Sequence, residues 1–116
     1  MSNSILNTVK HSLGLPADYT HFDDDIIMHI NSVFMQLYQL GCVPSIHYIT
    51  DDTATWDGEF GTSESFNTLC QSYTCRKVRM LFDPPTGSVK TAYDESIKED
   101  EWRFTVMRDL YDDQIL

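Results

Sequence analysis

The sequence predicts a mainly α, single-domain protein: a small bundle of about four helices with a short β-hairpin between the second and third long helical segments. Three observations predict it. Residues 22–41 carry a start signal, one apolar face and a stop signal in succession. Segments near 63–82 and 88–109 also repeat apolar residues at helical spacing, and Asp83-Pro-Pro separates them. Between residues 46 and 57 the pattern turns β-branched and aromatic. A chain of 116 residues is long enough for one core. It divides into a helical domain over 1–109 and a flexible C-terminal tail over 110–116.

The first helix, near residues 3–13, places Ile5, Leu6, Val9 and Leu13 on one face, and Gly14 and Pro16 end it. The second, near 23–40, is the strongest. Ile26, Ile30, Val33, Leu37 and Leu40 recur at steps of three and four, and Ile27 and Phe34 widen the stripe. Asp23 reads as its N-cap, Asp24 and Asp25 favour the positive end of the helix dipole, and Phe22 and Ile27 form a hydrophobic staple. Gly41 supplies a left-handed stop. The hairpin pairs residues 46–50 with 53–57 around Asp51-Asp52, and Trp56 closes it against the helices.

The third helix opens at Thr62 or Ser63 and carries Phe66, Leu69, Tyr73 and Met80 on one face. The fourth has a thinner stripe of Val89, Tyr93, Ile97 and Phe104. Its pairs Asp94 with Lys98 and Glu99 with Arg103 suit an exposed helix.

Composition narrows the function. A net charge of −10 argues against gripping nucleic acid by phosphate neutralisation. Cys42, Cys70 and Cys75 form an odd set without Cys-x-x-Cys spacing, which fits free thiols in a reducing compartment. The chain opens on no export signal and has no long apolar run, so it reads as soluble and unexported.

Sites of chemistry are sparse. Asp25 and His29 stand one helical turn apart and could share a metal. Capping accounts for the acids, however, and no second His or Cys follows at ligand spacing. A cysteine nucleophile paired with His11, His21, His29 or His47 has no local signature, and buried inert thiols are the default. The reading is therefore a protein without catalytic residues, metal or cofactor. Interaction residues are better represented. Arg76, Lys77 and Arg79 either complement the dipole at a helix C-terminus or meet acids on a neighbour. Trp102 lies off the main stripe of a charged helix and is an interface candidate.

Four stretches in order carry a family resemblance. They are Asp25-Ile-Ile-Met-His-Ile-Asn-Ser-Val-Phe with Gln39-Leu-Gly, Thr53-Ala-Thr-Trp, Lys77-Val-Arg-Met-Leu-Phe-Asp-Pro-Pro and Glu101-Trp-Arg. In wording and spacing, from about Ile5 to about Arg108, the chain resembles the head-to-tail connector (adaptor) proteins of tailed bacteriophages. The resemblance implies a structural virion subunit, assembled in the host cytoplasm. It implies a ring beneath the dodecameric portal that extends the DNA channel and docks a head-completion, stopper or tail protein. DNA then passes through without specific binding, and no membrane is involved. On this reading Tyr111, Ile115 and Leu116 belong to a tail that orders on the portal. The rival reading, of another class, is a small acidic monomeric phage-encoded module that sequesters a host protein.

Overall fold

The computed structural model describes residues 3–41 and 43–115, with side chains as far as Asp109. Among the described residues five helices follow one another: α1 (Ile5–Ser12), α2 (Asp23–Gln39), α3 (Trp56–Phe60), α4 (Glu64–Phe82) and α5 (Gly87–Ile115). Among the described residues no helix is long and apolar enough to cross a membrane.

Ser4 caps α1, its hydroxyl accepting from the Asn7 amide, and Gly14 turns the chain away at φ +79°. The strong stripe of α2 is buried: Ile26, Ile30, Val33, Phe34 and Leu37 are all within 1% of full burial. Leu40 packs half-buried at its edge. The start of α2 differs from expectation. Its N-cap is Phe22, which makes no side-chain cap, and Asp23 lies inside the first turn. Asp23 turns instead to Lys10, whose Nζ is 2.8 Å from its Oδ1. A buried cation offers that carboxylate a stronger partner than the solvated amides of an exposed helix end. Gly41, at φ +81°, ends α2 as the sequence requires.

The centre of the molecule is α4, which packs against all four other helices. It buries Leu69, Cys70, Tyr73, Thr74, Val78 and Asn67, whereas Met80 is only partly buried and Leu81 is exposed. Surrounded on several sides, α4 has no single apolar stripe, which is why its sequence looks less regular than that of α2. Asp83 and the two prolines stop it. On α5 the buried positions are Ile97, Asp100 and Phe104, and Val89 is exposed. The helix continues past residue 109 to Ile115 and is about 43 Å long. The side chains of 110–116 lie outside the described residues.

The predicted β-hairpin does not form: among the described residues there is no strand, and the one bridge joins Ser4 to Thr55. Two local preferences pull its arms apart. Thr55 accepts from the Gly58 amide through its hydroxyl, which starts α3 where the second arm was expected. The backbone before it pairs with the N-terminal segment, Ile5 N–H donating to Ala54 and Trp56 N–H to Asn3. Trp56 is nevertheless fully buried, its indole N–H donating to Thr8 Oγ1 at 3.2 Å. Edge-to-face aromatic contacts then tie the bundle together. They run from Phe34 to Phe60 (5.1 Å), on through Phe66 to Phe104, and from Phe104 to Tyr73 (5.3 Å).

Candidate functional site

The surface bearing functional potential has three parts, each set by how the helices place charge and apolar side chains. The first is a one-signed region. Residues 11–75 contain nine acids and no Lys or Arg. The cation just before them, Lys10, is 1% exposed and is held inside by Asp23 and by the Ala17 carbonyl at 3.0 Å. The surface over α2, α3 and their connection is therefore acidic without compensation. This asymmetry is readable in the sequence, though a total charge of −10 hides it.

The second part is the segment after α2. Asn31, on the flank of the α2 stripe, grips the backbone of Ile49 twice. Its Oδ1 accepts from the Ile49 amide at 2.7 Å, and its Nδ2 donates to the Ile49 carbonyl at 3.0 Å. From Ile46 to Thr50 burial alternates: Ile49 points in and His47 is half-buried, while Ile46, Tyr48 and Thr50 are exposed. His47 rests on the Phe60 ring with Nδ1 3.8 Å from Glu59. At the tip the Thr53 hydroxyl and amide both donate to Asp51, which holds its carboxyl below the usual carboxylate range. An open groove of about 390 Å³ runs along this segment, bounded by Ile46, Tyr48, Ala54 and Glu59. The role of Asn31 has no sequence signal, because its partner lies eighteen residues on.

The third part is the seam between α4 and α5. Arg76 pairs with Asp100 at 2.9 Å, Lys77 reaches Glu101 at 3.7 Å, and Arg79 donates to the Tyr93 hydroxyl at 3.1 Å. The three cations engage α5 of their own chain. Burial pushes the Asp100 carboxyl above its usual range, with Arg76 opposing. Beyond the seam stands Trp102, 65% exposed, beside Leu69, Val106 and Met107 around a shallow pocket of about 270 Å³. Among the described residues it is the largest exposed apolar side chain on α5.

The remaining candidates are dispersed. Cys70 is buried, and burial raises the Cys75 thiol against the Ser12 hydroxyl and Arg76. Cys42 lies outside the described residues, as do the side chains of Tyr111, Ile115 and Leu116. His29 faces the Phe82 ring at 6.5 Å. Among the described residues no three His, Cys, Asp or Glu side chains gather as a metal site.

The arrangement offers surfaces for other macromolecules. Comparison with curated proteins and with solved structures finds no match. A sequence model of the family described as phage connector protein matches residues 5–110, which takes in every helix from α1 through most of α5. The chain therefore belongs to the phage connector protein family, and its role is that of a structural connector component of a bacteriophage virion.

Proposed function

We propose that this chain is the subunit of a closed ring beneath the portal of a tailed bacteriophage, extending the DNA channel and docking the next head-completion or tail protein. The family match across residues 5–110 carries this reading. The ring closes through head-to-tail contacts in which one face of each subunit meets a different face of the next, and twelve copies match a dodecameric portal. Trp102 anchors the lateral contact, since a large exposed indole beside apolar neighbours is the kind of residue that dominates interface energy. Arg76, Lys77 and Arg79 fix α5 against α4 and so orient that indole. The segment holding Tyr111, Ile115 and Leu116 docks on the portal. With a net charge of −10 the ring repels the DNA that passes through it, so the genome slides without adhering.

The test mixes the purified protein with portal-bearing heads that lack it. Negative-stain images are expected to show a ring at the portal vertex. A chain that stays monomeric and leaves the heads bare overturns the proposal, and capture of a host protein by that monomer favours the sequestering module instead.

A further inference from the structure

We infer that residues 46–50 are an open strand edge that receives an extended, Lys- or Arg-flanked segment of another protein by β-strand addition. The conformation at Ile49 carries the argument. Its N–H and its C=O are both taken by the one Asn31 amide. A residue whose donor and acceptor point to the same side is in strand geometry, and the Asn31 side chain stands where a paired strand's peptide group would be. In such a segment the neighbouring residues present their donors and acceptors to the opposite side. Those neighbours are Tyr48 and Thr50, with Ile46 in the same register. Their backbone groups make no hydrogen bond among the described residues. The alternating burial of residues 46–50 supports the same period of two.

An unpaired edge is a template for another chain, and proteins that do not use one usually blunt it with lysine, proline or a covering element. This edge has none of these: residues 46–50 contain no Lys or Pro, and an open groove borders them. The exposed Ile46 and Tyr48 side chains offer apolar contact on the outer face.

Charge selects the occupant. Asp51, Asp52 and Asp57 are exposed beside the edge, Glu59 lines the groove, and no Lys or Arg occurs between residues 11 and 75. A second copy of this segment would bring like charges together, which disfavours self-pairing. A basic-flanked strand is attracted. The connector reading locates that partner at the head–tail junction, but the strand edge does not depend on it for its test.

The test titrates isotope-labelled full-length protein with a lysine-flanked hexapeptide of alternating threonine and valine, observed by amide NMR. The amides of Ile46, Tyr48 and Thr50 are expected to shift and to become protected from exchange, with Ile49 little changed. A glutamate-flanked twin should bind about tenfold more weakly, and Asp52→Lys should weaken the lysine peptide and relieve the glutamate one. Tyr48→Pro removes one outward donor and should weaken binding about tenfold, whereas Tyr48→Ala keeps the donor and a larger share of the affinity. The inference is overturned if shifts scatter away from 46–50, if both peptides bind alike, or if these amides shift with protein concentration alone, which would assign the edge to a second copy. Failure to join portal-bearing heads would sink the ring proposal and leave this titration unaffected.

Discussion

Leu37 is fully buried on the apolar face of α2, so truncating its side chain leaves a hole in the core. Leu37→Ala should cost about 2–5 kcal/mol in a urea titration, as core truncations do. Thr74 presents the opposite case. Its hydroxyl is buried at the middle of α4 with no hydrogen-bond partner among the described residues. Thr74→Val keeps the shape and removes an unsatisfied polar group, so it should stabilise the chain by about 1 kcal/mol. A melting temperature that falls instead would show that the hydroxyl is satisfied in solution. Asp100 tests burial of charge. Burial raises its carboxyl above the ordinary 3.8, so ionisation costs more in the folded chain than in the unfolded one. Its contribution is most favourable below that value and declines as the pH rises through the raised one. Asp100→Asn mimics the protonated form, and Arg76, a third exposed, remains solvated. The variant should therefore gain on the wild type between pH 4 and pH 7, read from paired thermal melts. A gap that closes or reverses over that window would mean that the Arg76 pairing outweighs the burial.

Elements end where their stop residues allow and continue where nothing stops them. Gly41 combines positive φ with close approach, since an added Cβ would stand 2.9 Å from Arg108 Cδ. Arg108 in turn donates to the Leu40 carbonyl at 3.0 Å, so the far half of α5 closes the exposed end of α2. No glycine or proline follows position 87 in α5, and the helix runs on to Ile115. Among the described residues α5 is anchored to the bundle by Ile97, Asp100 and Phe104, upstream of this segment. Deleting residues 110–116 should thus leave the melting temperature within a few degrees of the full chain, while attachment to portal-bearing heads weakens. A truncated chain that unfolds, or that attaches as well as the full one, would contradict the assignment of this segment to portal binding.

At the scale of the whole molecule, charge and apolar surface are separated. The acidic region spans residues 11–75, while seven of the eight Lys and Arg residues lie from Arg76 onward, several of them paired within α4 and α5. Trp102 stands on that second half, where the net field is weaker and another subunit can approach. Trp102→Ala should leave the fold intact, because the indole is 65% exposed, and should weaken self-association about tenfold or more by light scattering. An assembly unaffected by the substitution would move the lateral contact elsewhere.

The sequence by itself determined the helical class and four of the helices, because stripes and stops are local and α2, with its buried face and Gly41, states both without conflict. It also carried the family, since the order of its motifs does not depend on coordinates. Tertiary structure decided the rest. Whether residues 46–57 pair with each other or with the N-terminus and Asn31 depends on partners far apart in the chain, and the β-branched residues suit either outcome. Asp23 looked like a cap until a buried lysine from α1 reached it. The central place of α4 was hidden because contact on several sides erases periodicity. The cations of α4 read as dipole partners or as contacts to a neighbouring subunit until α5 lay beside them. Apart from the packing of α4, these turn on which group wins a competition for one polar partner, and only the assembled bundle brings the competitors within reach.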